Sequence, residues 1–204
     1  LYLFLLGVTR LPFCQDFIGS KIAQAVGERL GTYVSIGRVN IGLLNRLIID
    51  DVSILDQQNK RMLNISRLSA SIDLLPLYEG KIRISSAQLF GAHAYFYKKD
   101  SLSKPNFQFV LDSLASNDTT THTPLDLRVN TFIVRHSSVN FDRQDVKTTP
   151  DVLNPQHLKV SDISAHILLK ALTDDSLNIQ IKRLAFKEHS GLTVNRLALS
   201  PQAA

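Results

Sequence analysis

One spacing recurs along the chain and limits what it can fold into. Two apolar residues stand two apart, a gap of three follows, and two more apolar residues stand two apart. The pattern reads Val34, Ile36, Val39, Ile41, then Leu47, Ile49, Val52, Ile54, then Leu63, Ile65, Leu68, Ala70. It returns at Ile82, Ile84, Ala87, Leu89, at Leu127, Val129, Phe132, Val134, and at Leu158, Val160, Ile163, Ala165. Two last copies are Ile179, Ile181, Leu184, Phe186 and Leu192, Val194, Leu197, Leu199. Steps of two are the strand signature, because successive side chains point to opposite faces. An unmodified strand would carry the second pair to the far face after a step of three. A β-bulge absorbs the extra residue, re-aims the side chains and bends the strand. The expected fold is therefore mainly β with an N-terminal α-helix, its long, bent, mostly antiparallel strands forming a curved sheet or β-trough.

Two copies run on in register, to Ala94 and Phe96 and to Val139 and Phe141. Strands of about 15 residues, or roughly 50 Å, are implied. Turn-forming residues at 56–60, 76–80 and 188–191 separate neighbouring copies by connections short enough for antiparallel pairing. Two stretches interrupt this meander. Residues 98–123 are polar and hold a helix expected near 106–114, with Phe107, Val110, Leu111 and Leu114 at helical spacing, then a Ser/Thr/Asn-rich linker at 115–123. Residues 144–154, with Pro150, read as a loop.

Ahead of the strands, residues 1–8 are apolar without a break and Thr9-Arg10 close the run. Eight helical residues rise about 12 Å, short of a bilayer core of roughly 30 Å. A run that does not alternate, with an arginine at its end, reads as the exit of a membrane span begun upstream, against a buried strand as the other reading. Residues 1–10 are taken as the end of this truncated anchor. Residues 11–31 then read as an amphipathic juxtamembrane helix, opened by Pro12 and stopped by Gly31. Its apolar stripe is expected at Phe13, Phe17, Ile18, Ile22, Val26 and Leu30. The β-rich domain occupies 32–204 and is read as incomplete at its C-terminus.

The chemistry of the remaining residues excludes more than it suggests. With 204 residues, 44% of them hydrophobic and 20% charged, the chain can bury a substantial core. The net charge of +5 is dispersed and forms no basic helix, so nucleic acid is not an expected partner. Cys14 is the single cysteine, so no internal disulfide forms, and Phe13 before it does not fit a lipoprotein signal. The six histidines (93, 122, 136, 157, 166 and 189) include no pair at local metal-ligand spacing. His93, His136 and His166 fall at polar strand positions. The carboxylate pairs Asp50-Asp51 and Asp174-Asp175 are expected at strand starts or turns, where neighbouring side chains diverge. No nucleophile elbow or phosphate loop is present. The chain is therefore read as non-enzymatic, with no cofactor and no metal.

What stands out is an apolar surplus. Helices at 12–30 and 106–114 could cover only part of so long a sheet, so its apolar face either closes on itself as plain core or lines a groove. The residues expected to line such a groove are Ile82, Ile84, Leu89, Phe96, Leu127, Val129, Phe132, Val134, Phe141, Ile179, Ile181 and Phe186.

Several segments in order resemble one family. They are Leu11-Pro-Phe-Cys-Gln15 after the apolar run, Gly31-Thr32 closing the helix, and Val34-Ser-Ile-Gly-Arg-Val39. Leu47 to Asp56, Leu68 to Leu77, Gly80 to Phe90 and Phe107 to Leu114 follow. Together they resemble the N-terminal portion of AsmA-like and TamB-like proteins, most closely the translocation and assembly module proteins of Bacteroidota. The likeness covers most of residues 10–140. It implies a single-pass inner-membrane anchor, a periplasmic β-trough with an apolar lining, and work in outer-membrane biogenesis. That work is phospholipid transport between membranes, or translocation and assembly of outer-membrane proteins. Implied partners are phospholipid acyl chains and an outer-membrane assembly protein of the Omp85 type, the latter met through a C-terminal region that this chain is expected to lack. The alternative reading is an envelope β-sandwich that binds glycan or protein through loops 98–123 and 143–156.

Overall fold

In the computed structural model of the chain, the described residues are 12–41, 46–72, 82–115, 125–126, 130–149, 152–173 and 176–200. Residues 1–11 with the apolar run at 1–8, the turn at 76–80, most of the linker at 115–123, and Asp174-Asp175 lie outside them.

Helix α1 spans Pro12–Leu30, within one residue of expectation at each end. Proline costs nothing at the first helical position, where no N–H partner is needed. The helix ends in a left-handed turn: Gly31 adopts φ +64°, its N–H donates to Glu28 O (3.3 Å) and Thr32 N–H donates to Gly27 O (3.0 Å). These two bonds satisfy carbonyls that the helix end would otherwise orphan.

The packed face of α1 keeps Ile22 of the expected stripe but not Phe17 or Val26. Phe17 is 56% and Val26 37% exposed, whereas Ala23 is buried and Ile22 packs against the sheet core. A side chain at Gly19 would stand 3.4 Å from Gly37 O and 3.5 Å from Ile36. Small residues at steps of four (Gly19, Ala23, Gly27) let the helix backbone approach the sheet edge, and Phe17 and Val26 turn aside. The side chains of Phe13 and Ile18 are outside the described set.

The strands are β1 (Val34–Ser35), β2 (Arg38–Ile41), β3 (Arg46–Leu55), β4 (Arg61–Ile72) and β5 (Ile82–Lys98). After helix α2 (Gln108–Ala115) come β6 (Leu125–Asp126), β7 (Thr131–Arg143), β8 (His157–Thr173), β9 (Ser176–Glu188) and β10 (Thr193–Leu199). They form one open sheet in the order β1-β3-β4-β5-β7-β8-β9-β10, with β2 also on β3 and β6 also on β5. β1 and β2 are two halves of one edge strand, interrupted where Gly37 N–H reaches Asp50 O (3.1 Å) and Asp51 O (3.2 Å). Pairing is antiparallel except for β5 with β6 and β7. A parallel neighbour needs a long crossover, which the stretch containing α2 provides. α2 begins two residues later than expected and is tied down by Phe107 against Phe96 (ring centroids 4.6 Å) and Ser113 Oγ donating to Arg29 O (3.0 Å). The turns at 56–60 and 188–191 form as read.

The three-residue step has a physical counterpart. Asp51 in β3, Gly91 in β5, His136 in β7 and Asp162 in β8 all take positive φ, at +58°, +62°, +48° and +52°. In each case the residue lies inside a step of three between inward-facing positions: Ile49 to Val52, Leu89 to Ala92, Val134 to Ser137, Val160 to Ile163. The bulges line up across the sheet. Asp50 pairs with Arg67 and Val52 with Ile65, so Asp51 faces Ser66. Ile65 pairs with Ala92 and Arg67 with Phe90, so Ser66 faces Gly91. The β5–β7 register breaks at Gly91-Ala92 and at His136-Ser137 together. One crease therefore crosses β3, β4, β5, β7 and β8 at a single height. In β5 the register against β4 shifts between Ile84 and Ser86, inside the step read at Ile84 to Ala87, and the crease adds a second step at Leu89 to Ala92. In β7 the crease falls at Val134 to Ser137, and the step read at Val129 to Phe132 reaches outside the described residues. One expectation is corrected: Asp50-Asp51 sits in mid-strand at the crease, not at a strand start or turn.

Candidate functional site: the apolar face

Register brings the template residues of different strands together. Leu47, Ala70, Ala87, Phe132, Ile167, Ile181 and Leu199 form one cross-strand row. Ile49, Leu68, Leu89, Val134, Ala165, Leu184 and Leu197 form the next. Beyond the crease, Ile54, Leu63, Ala94, Val139 and Val160 make a third row, and Phe96, Phe141 and Leu158 a fourth. Cross-strand partners share a face, and because both sides of the crease carry the extra residue, all four rows share it. No side chain in these rows ionises.

Cover on this face is uneven. The buried cluster is Val39, Ile49, Val52, Ile65 and Ala92, joined by Ile22 of α1 and by Ile36, Leu47, Ile54, Leu63, Leu68 and Leu89. All of it lies on β2–β5 and the adjoining segments, under α1. Across β7–β9 this face is only partly buried at Phe132, Val134, Val139, Phe141, Ile163, Ile167, Ile181, Leu184 and Phe186, as it is at Leu47, Leu68 and Leu89, and Ala165 is buried. On β10, Leu197 and Leu199 are 37% and 47% exposed. Among the described residues no helix lies over β7–β10. The apolar face thus begins as a core and continues as an open surface.

Of the residues expected to line a groove, Phe132, Val134, Phe141, Ile181 and Phe186 lie on the open part, as does Ile179 by its spacing from Ile181. Leu89 packs at the margin of the covered core, and Phe96 is capped by Phe107. Leu127 and Val129, and the side chains of Ile82 and Ile84, lie outside the described residues. Leu158, Ile163, Ile167, Leu184, Leu197 and Leu199 belong to the same face and were not singled out, although the template marked all of them but Ile167.

Ser137 is the residue that sequence reading missed most plainly. It is 4% exposed and fills an apolar slot where the crease crosses β7. Its Oγ accepts from Ala92 N–H (3.1 Å) and donates to Arg135 O (3.0 Å). The hydroxyl thereby satisfies a backbone N–H that the bulge removes from the ladder, a need invisible in hydropathy.

Two polar centres lie off this face. Asp56, 1% exposed, accepts from Gln58 N–H (2.8 Å) and Lys60 N–H (2.9 Å) at Oδ1, and from Tyr97 OH (2.8 Å) and Asn106 Nδ2 (3.4 Å) at Oδ2. Burial alone would raise its pKa, but these bonds together hold it below the usual carboxylate range. The Tyr97 phenol is pushed up to about 12 by burial, by its bond to Asp56 and by that charge. With every lone pair engaged, Asp56 fastens the β3–β4 turn to the end of β5 and offers nothing to a substrate. His157 is held in the same manner, with Nδ1 2.6 Å from Asp142 Oδ1 and Nε2 2.9 Å from Val146 O.

A cleft of about 580 Å³ lies between α1 and the sheet edge, lined by Ala23, Gly27, Val34 and Ile36 among others. It is separate from the expected lining residues. No described helix is long and apolar enough to cross a membrane. The chain matches no protein-family model and no curated protein.

Proposed function

We propose that the chain is a non-catalytic, inner-membrane-anchored periplasmic scaffold of the AsmA/TamB kind, whose open apolar face over β7–β10 receives phospholipid acyl chains. The observation that carries this reading is the continuity of the four apolar rows past the edge of the helical cover. Apolar surface removed from water contributes about 25 cal/mol per Å². Exposed side chains in register therefore favour an apolar occupant, and the absence of charge in the rows suits chains better than headgroups. The resemblance assigns the scaffold to outer-membrane biogenesis, by lipid passage or by assembly of outer-membrane proteins with an Omp85-type partner. Partner and localisation rest on that resemblance.

The test is lipid content. Protein purified from membranes is extracted and its phospholipid quantified, beside a Phe132→Asp/Phe186→Glu variant. Both side chains are only partly buried, so the variant should stay folded and soluble while its bound phospholipid falls at least tenfold. Unchanged lipid content would remove the groove and leave binding through loops 98–123 and 143–156 as the reading to pursue.

A further inference from the structure

The opposite face of the same strands has a composition of its own. Tyr95, Asn140 and Lys159 are cross-strand partners in one row, and Phe90 pairs with Arg135 in another. Arg183 pairs with His166 in a third. Each alternates with a residue of the apolar rows and so points away from them. Arg135, Lys159 and Arg183 are exposed, and Phe90 and Tyr95 are 47% and 45% exposed.

The described carboxylates of β7–β9 are already engaged. Asp162 lies 2.9 Å from Lys187 Nζ, Asp142 is bound to His157, and Glu188 accepts from the Ser190 N–H (2.7 Å) and hydroxyl. Arg135, Lys159 and Arg183 have no carboxylate partner among the described residues. The strand and residue spacings spread them over a patch of about 10 by 20 Å. Unpaired cations beside exposed aromatic rings make the composition of a surface resting at the headgroup level of a bilayer, where rings sit in the interface and cations face anionic lipid. A soluble polyanion would answer the cations but give the two rings no apolar contact.

We propose that this polar face of β5 and β7–β9 docks on an anionic bilayer surface, leaving the apolar rows pointing away from it. The surface is distinct from the acyl-chain face, so the two can fail separately.

The experiment is co-sedimentation of the full chain with vesicles of phosphatidylcholine alone and of phosphatidylcholine with 30% phosphatidylglycerol, about 30% being ample to give a negative surface potential. Binding to the anionic vesicles alone is expected, weakened as salt is raised. The variant Arg135→Gln/Lys159→Gln/Arg183→Gln should bind about 100-fold more weakly, at about fivefold per cation. Phe90→Ser/Tyr95→Ser should weaken binding with its salt dependence kept, a readout that separates ring insertion from charge. The Phe132→Asp/Phe186→Glu variant should bind vesicles as the parent does, whatever its lipid content. Equal binding to both vesicle types, no binding to either, or capture by a soluble polyanion in place of vesicles would overturn the proposal.

Discussion

At Gly91 two constraints coincide. Its φ is +62°, a region costly for any residue with a side chain, and a Cβ there would stand 2.7 Å from Ser66 Oγ and 3.1 Å from Ser66 Cβ. Gly91→Ala is expected to lower stability by about 2 kcal/mol, read from the denaturant midpoint. Adding Ser66→Gly should recover the steric part but not the backbone part, so the double-mutant cycle should show coupling of about 1 kcal/mol. Additive effects would mean the two strands do not meet at the crease. The Asp56–Tyr97 pair makes a prediction in pH. Asp56 has a lowered folded pKa, so its contribution is present above the unfolded value near about 4 and is lost as pH falls through the folded one. Tyr97 has a raised one, so its contribution is present below about pH 10 and fades as pH climbs through about 12. Asp56→Asn should flatten the acid limb of a stability-against-pH curve and Tyr97→Phe the alkaline limb. Unaltered limbs would show that neither group is held as described.

Among the elements, the strands were the most legible, because a spacing of 2, 3, 2 has few solutions other than a bulged strand with one apolar face. What the spacing did not mark was the further step at the crease in β5 and β7, downstream of the ones it read. There the inward slots beyond the crease hold Ala92, Ala94 and Ser137, which carry little or no hydropathy signal. The parallel β5–β7 pairing was hidden too, since no residue marks a crossover as parallel. Helix α1 was legible in its ends and only partly in its face. Beside Ile22, its contact is made by Gly19, Ala23 and Gly27, whose value lies in what they lack. Ala23→Leu should therefore cost about 2 kcal/mol by overpacking, whereas Phe17→Ala should cost under about 0.5 kcal/mol as a surface change. The reverse order in thermal melts would restore the bulky stripe as the packing face.

For the whole molecule, the distribution of cover implies a gradient of stability. Strands β3–β5 lie in the buried cluster with α1 against it, and β8–β10 have neighbours in the sheet but, among the described residues, no second layer. Regions with few buried apolar contacts open at lower free energy than the core. Amide hydrogen exchange should accordingly be slowest in β3–β5 and quicken towards β10, and saturating phospholipid should slow β7–β10 more than β3–β5. Uniform protection would mean that the second half of the sheet is covered after all.

The shared height of the bulges binds the strands to a common fate. Removing Gly91 alone would put Leu89 and Ala92 two apart, so β5 would run unbulged and one residue short between two bulged neighbours, out of register with both beyond the crease. A change of length in one of these five strands is therefore admissible only when the adjoining strands change with it. The number of strands is under no such restriction, so a lineage of such sheets could grow sideways freely while the pitch of each strand stays locked.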